Sequence, residues 1–203
     1  MHGTGGRLVS DSVRWVLETT YDLAQLGKKK KPAVGRPKPC WTRPDYGTMK
    51  INVDACFNPD TLQGASGLVV RDHNGLLIRG QAIFYEHATS ALVMEAQAIR
   101  DGVQLALERN YQKVEIQTDA QEVLKMMDDP GGGKSIIASI CQEVKELGGS
   151  FSSLKFSFVG RLANEAAHNC AKQASSVRRR CLWINFTPPF LVDILAKDCN
   201  PII

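Results

Sequence analysis

Apolar and polar residues alternate along residues 49–57: Met49, Ile51, Val53, Ala55 and Phe57 take one phase, Lys50, Asn52, Asp54 and Cys56 the other. A period of two marks a β-strand with one buried face. ASGLVVRD (65–72) and LLIRGQAIFYE (76–86) read as two more strands. NPDTLQG (58–64) supplies turn chemistry between the first two, and HNG (73–75) a tight hairpin with its Asn-Gly pair. Three strands joined this closely form an antiparallel meander. The period then lengthens. Thr89 or Ser90 caps a helix running to about Arg109. KVEIQTDA (113–120) is a fourth strand, followed by a helix over about 120–127 that ends at DDPGGG. Residues 135–147 form another helix, stopped by Gly148 and Gly149. SLKFSFV (153–159) is a fifth strand, and a last long helix covers about 162–177. Alternation of strands and helices after the meander implies strands parallel to the first. The expectation is an α/β domain around one mixed sheet.

Three segments follow from this patterning. Residues 41–178 hold the domain. Residues 1–40 are an arm: a weakly helical stretch at 10–26, then GKKKKPAVGRPKP (27–39), whose five lysines, three prolines and two glycines cannot build a core. Residues 179–203 are a tail. Phe190, Leu191, Ile194 and Leu195 fall at helical spacing there, after two prolines, and are expected to pack on the domain.

Charge sharpens the division. Residues 1–45 carry nine Lys/Arg against four Asp/Glu, a net +5, whereas the remaining 158 carry 16 against 17, a net −1. The basic character therefore belongs to the arm, which is either a solubilising linker or a sequence-independent phosphate contact. The KKKK run at 28–31 and the GRPKP piece are weak signals for a nuclear address or a minor-groove arm. No apolar run approaches the roughly 20 residues that span a bilayer, and no secretion signal is expected. The six cysteines show no CxxC pair and read as reduced thiols. The expected setting is intracellular, nucleus or cytoplasm, as a monomer with no membrane partner.

Aspartate is depleted in strands, so Asp54 raises a question. Either it lies on a solvated face or it awaits a cation. Glu95 shares a helix face with Ala91, Leu92, Ala98 and Ile99, and so points at the sheet; Gln97, Arg100, Asp101, Gln104 and Glu108 form the polar side. A rim position or an ion pair with arginine are the plainer readings of Glu95. Asp119 ends the fourth strand and is also a natural N-cap for the next helix. If the first and fourth strands are parallel neighbours, Asp54 and Asp119 lie side by side at their carboxyl ends, where sites form in open α/β sheets. Three converging carboxylates repel unless cations separate them, and hard oxygen ligands suit Mg²⁺ or Mn²⁺ rather than zinc. Two such ions about 3.5–4 Å apart activate water and stabilise the leaving oxygen of a phosphodiester.

WTRPDYGTMKINVDACF, GASGLVVRDHNGLLIRG, MEAQAIRDGVQLAL, VEIQTDAQEV and VGRLANEAAHNCAKQA, spread in order over residues 41–177, carry a resemblance to the type 1 ribonuclease H family. More narrowly, the chain resembles the ribonuclease H-like domain of plant non-LTR retroelement reverse transcriptases and their stand-alone plant relatives. The resemblance implies a five-stranded mixed sheet flanked by helices. It implies cleavage of the RNA strand of RNA–DNA hybrids with two Mg²⁺, Mn²⁺ being the alternative. It assigns Asp54, Glu95 and Asp119 as metal ligands and catalytic acids, with Asn164 and the fourth catalytic position, His168, on the last helix. His168 stands where the enzyme pattern has an aspartate: it either ligates metal, moves a proton, caps a weakened site, or is a structural histidine. The loop before that helix carries Arg161 and no histidine; Arg161, Asn164 and Asn58 are the candidate substrate contacts. DDPGGGK (128–134) is short and lacks the basic character of the hybrid-gripping loop of many relatives.

Two functional classes follow. The first is a metal-dependent endoribonuclease on hybrids, recognised by shape, phosphates and 2′-hydroxyls. The second is a retroelement-derived nucleic-acid binding module with weak or no catalysis, suggested by His168, the missing loop histidine and the missing basic grip. A purely protein-binding role has no positive support in the sequence.

Overall fold

The computed structural model describes residues 40–128 and 135–199. The arm at 1–39, with its helical stretch and lysine run, and most of the DDPGGGK loop lie outside the described residues.

The meander is present as β1 (Met49–Asn58), β2 (Gln63–Arg71) and β3 (Leu77–Tyr85). Helix α1 (Ala91–Glu108) starts at Ser90, whose side chain accepts a hydrogen bond from the Val93 amide. Then come β4 (Lys113–Thr118), α2 (Gln121–Asp128), α3 (Ile136–Gly148) and β5 (Ser153–Phe158). The last long helix is divided: Arg161–Asn164 is a 3₁₀ turn, and α4 spans Glu165–Val177. A short strand β6 (Cys181–Ile184) and helix α5 (Pro189–Cys199) complete the chain.

The sheet runs β5-β4-β1-β2-β3-β6. Pairing is antiparallel for β1 with β2, β2 with β3, and β3 with β6, and parallel for β1 with β4 and β4 with β5. It has six strands where five were expected. The sixth, CLWI, pairs with β3 beyond residue 178. Alternation is invisible in it because both phases are apolar: Cys181 and Trp183 face the core while Leu182 and Ile184 are exposed.

The expectation of one buried face on β1 also needs correction, since both faces are covered. Ile51 and Val53 pack with Leu68, Val70, Ile99 and Val103 under α1. The other phase lies on the α4 side of the sheet, and there Lys50, Asn52 and Asp54 are 2%, 0% and 4% exposed. Helix α4 reaches the sheet closely because its inner face is Ala166, Ala167, Cys170, Ala171 and Ala174. The strand beneath answers with Gly67, where an added Cβ would fall 2.2 Å from the Ala167 carbonyl oxygen. In α5, Leu191, Ile194 and Leu195 bury against this second core, so the tail packs on the domain. On α1, Gln97 and Asp101 are not solvated as expected but buried. Asp101 Oδ2 accepts from Ser66 Oγ at 2.5 Å and Tyr85 Oη at 2.7 Å, and Gln97 Nε2 donates to Oδ1 at 2.8 Å.

Candidate active site

The register of β1 on β4 pairs Asn52 with Gln117. Continued by two residues, it sets Asp54 opposite Asp119, just past the end of β4. Helix α1 brings Glu95 over the same point. One carboxylate oxygen from each of Asp54, Glu95 and Asp119 lies within 4.8 Å of the others. All three expected acids therefore converge, and a cleft of about 380 Å³ beside Glu95 and Asp119 gives access to them.

Burial and mutual repulsion act on this cluster. Burial pushes the Asp54 carboxyl up to about 8, with the charges of Glu95 and Asp119 adding to it. Burial and Asp119 push Glu95 up to about 7, while the positive charge of Arg161 pulls the other way. A desolvated, same-charge pair holds protons in this way because only neutralisation relieves it.

Each neighbour has a definite task. Asn164, expected as a substrate contact, is 1% exposed and holds the site together instead. Its Nδ2 donates to Asp119 Oδ1 at 3.0 Å and to the Val53 carbonyl at 2.9 Å. The Asp119 carboxylate thus accepts from Asn164, and the first free amide of the following turn, Ala120 N, is taken by Thr118 Oγ1 at 3.1 Å. His168 Nδ1 meets Asp54 Oδ2 at 2.6 Å. Burial, then Lys172 and Arg161, push its imidazole below the ordinary value. His168 lies outside the set of converging ligand atoms and touches it through Asp54. Arg161 is exposed on the 3₁₀ turn. Asn58 is exposed at the end of β1, and its Oδ1 accepts from the amides of Asp60 and Thr61 at 2.9 and 3.3 Å, closing the turn to β2.

The donor set fits a hard divalent cation. It consists of carboxylate oxygens with no thiol, and Glu95 Oε2 is buried with no hydrogen-bond partner among the described residues. A buried orphan acceptor costs free energy unless a donor or cation reaches it. Asn52 was not foreseen as part of the site. Its side chain is fully buried and donates to Asn164 Oδ1 at 3.1 Å. The only signal for it was position, two residues before Asp54 on the same phase.

The sheet order, the two helices on its faces and the acids at the ends of its parallel strands define a ribonuclease H-like fold. Similar solved structures agree. RNase H1 of the halophilic archaeon Halobacterium salinarum superposes with a TM-score of 0.58 at 18% identity, over 64% of this chain and 98% of that one. The N-terminal RNase H domain of a Mycobacterium tuberculosis protein gives 0.57 at 18%, over 64% and 94%. LC11-RNase H1, isolated from compost and solved with an RNA/DNA hybrid, gives 0.56 at 16%, over 64% and 98%. Residues 52–174, well over half of the chain, match the reverse transcriptase-like family, and the chain belongs to that family. Comparison with curated proteins gives no match. Among the described residues no helix is long and apolar enough to cross a membrane.

Proposed function

We propose that this chain is a divalent-cation-dependent endoribonuclease that hydrolyses the RNA strand of RNA–DNA hybrids. The observation that carries this reading is the convergence of Asp54, Glu95 and Asp119 within 4.8 Å, with Glu95 Oε2 left unpartnered. Asp54, Glu95 and Asp119 would hold two Mg²⁺, or Mn²⁺. Bound there, the ions supply Lewis acidity at a phosphodiester and lower the pKa of water. The chain's own residues do the rest. Asn164 and His168 fix the rotamers of Asp119 and Asp54, so that the carboxylates stand ready without reorganisation. Because His168 Nδ1 is engaged with Asp54, its Nε2 is the one ring atom left to take or give a proton at the substrate. Arg161, exposed on the lip of the site, offers a bidentate contact to a substrate phosphate.

A second reading has one observation in its favour: His168 stands where a fourth acid would complete the ligands. In that reading the chain binds hybrid without cutting it. The test is cleavage of a labelled RNA–DNA hybrid with Mg²⁺ or Mn²⁺, beside Asp54→Asn and Asp119→Asn. RNA-strand cuts that disappear in both variants support the enzyme. Absence of cuts from folded protein that still binds hybrid sinks it and leaves the binding module.

A further inference from the structure

A directed line of hydrogen bonds runs from the C-terminal helix to the acid cluster. Asp198 Oδ2, on α5, accepts from Arg71 Nη1 at 2.6 Å. Arg71 is 0% exposed, its guanidinium lies 3.6 Å from the centroid of the Trp41 ring, and its Nη2 donates to Asn52 Oδ1 at 2.9 Å. Trp41 Nε1 donates to the same oxygen at 2.9 Å. Asn52 Nδ2 donates to Asn164 Oδ1 at 3.1 Å, and Asn164 Nδ2 donates to Asp119 Oδ1 at 3.0 Å.

The direction of this line is forced by chemistry. A guanidinium and an indole N–H donate and never accept. Asn52 must therefore turn its oxygen to Arg71 and Trp41, and its NH₂ to Asn164. Asn164 must then turn its oxygen to Asn52 and its NH₂ to Asp119. Asn52 is locked by Arg71 and Trp41, and Asn164 by Asn52 together with the Val53 carbonyl, which accepts from the same Nδ2 at 2.9 Å. Asn52 uses all its capacity, since its second N–H reaches Gln117 Oε1 at 3.4 Å. Both N–H groups of Asn52 and of Asn164 are engaged, while Arg71 Nε is buried without a partner among the described residues; the paired amides are held rigidly.

We propose that Asp198, Arg71, Trp41 and Asn52 are positioning residues for the site, orienting Asn164 and through it Asp119. This rests on the function proposed above. Trp41 and Asp198 both lie outside residues 52–174, the stretch that matches the family. The support thus comes from segments flanking the shared domain. Helix α5 is held in place for it: Cys199 Sγ reaches the Gly75 carbonyl at 3.7 Å. A Cβ on Gly75 would come within 2.9 Å of that sulfur and 3.4 Å of the Trp41 ring.

The test uses the full chain and Asn52→Asp, Asp198→Asn and Trp41→Phe. Asn52→Asp keeps acceptors for Arg71 and Trp41 but replaces the NH₂ with oxygen. Asn164 Oδ1 then faces an acceptor in place of a donor while the Val53 carbonyl still holds Nδ2, so the amide is pushed out of the orientation that presents Nδ2 to Asp119. Three quantities are read: Mn²⁺ affinity by calorimetry, kcat and KM on hybrid, and the side-chain amide resonances of Asn164. Loss of a group that orients a ligand costs about 10–100-fold in metal affinity or activity. Asn52→Asp is expected to weaken Mn²⁺ binding by about tenfold, although its added negative charge by itself would tighten it. Its kcat falls by a similar factor while KM holds. Asp198→Asn and Trp41→Phe act in the same direction more mildly, and Asp198→Asn shifts the Asn164 amide resonances. If Asn52→Asp does not fold, the two milder variants decide. Mn²⁺ affinity at or above wild type in folded Asn52→Asp, or unmoved Asn164 resonances in Asp198→Asn, overturns the relay. If the wild type neither binds Mn²⁺ nor cleaves hybrid, the proposed function fails, while the Asn164 resonances still decide the relay.

Discussion

Replacing Glu95 with glutamine should stabilise the metal-free protein in a way that depends on pH. Glu95 keeps its proton in the fold up to about 7, against an ordinary value of 4.5. Between those values the folded state binds more protons than the unfolded chain. Stability therefore falls as pH rises through that window, and Asp54 extends the fall to about 8. From pH 5.5 to 7 the Glu95 share amounts to roughly 2 kcal/mol, at about 1.4 kcal/mol per pH unit. A direct estimate has the same order: two like charges just under 5 Å apart repel by about 3 kcal/mol at an effective dielectric near 20. Glutamine keeps the shape and removes the charge. Any fixed cost of burying its amide is the same at both pH values and cancels. The Tm of Glu95→Gln relative to wild type, followed by circular dichroism in EDTA, should therefore be higher at pH 8.5 than at pH 5.5 by roughly 4–8 °C for a domain of this size. Millimolar Mg²⁺ should raise the wild-type Tm at pH 8.5, because a ligand that binds only the folded state stabilises it, and should do little for the variant. An equal Tm gap at the two pH values, or wild-type stability that rises from pH 5.5 to 8.5, would refute the reasoning.

Gly67→Ala drives a methyl group into the backbone of α4, with contacts of 2.2 Å to Ala167 O and 2.3 Å to Ala171 N. Since no flexible side chain can give way, urea unfolding should show a loss at or above the upper end of the about 1–3 kcal/mol usual for overpacking. Asp198→Ala leaves the fully buried Arg71 without its carboxylate and should cost about 3–5 kcal/mol in the same assay. Asp198→Asn, which keeps an acceptor for Arg71, should cost clearly less. Arg161→Ala removes a charge that lowers the Glu95 pKa. The acid limb of the pH–rate profile should move to higher pH, with KM for hybrid rising several-fold; an unmoved limb would place Arg161 too far away to act on the cluster.

Much of the site was legible because its signals are local. Asp54 sits in the middle of a strand, where aspartate is depleted, Glu95 falls on an apolar helix stripe, and Asp119 ends a strand before a helix. Each anomaly is a charge where burial makes charge costly. The polar phase of β1 was misjudged for the same reason in reverse. Lys50 and Asn52 read as solvated, yet Lys50 Nζ donates to the Thr42 carbonyl at 2.7 Å and lies 3.2 Å from Glu115. A partner 65 residues distant in sequence, as Glu115 is from Lys50, leaves no trace in the local pattern. The same holds for Asp101, which looked solvent-facing until β2 and β3 supplied Ser66 and Tyr85.

Periodicity determined the element order, the meander followed by strand–helix alternation, because local backbone preference and burial act over a few residues and repeat at 2 or 3.6; it raised the three acids only as candidates, and the family resemblance assigned them. The tertiary structure decided what depends on distant segments meeting. It placed β6 at the sheet edge and covered both faces of β1. It turned Asn164 from a substrate contact into the clamp on Asp119, and it set His168 on Asp54. Hydrogen-bond direction and desolvation belong to assembled groups, and these are assembled from β1, β2, α4, α5 and the Trp41 segment together.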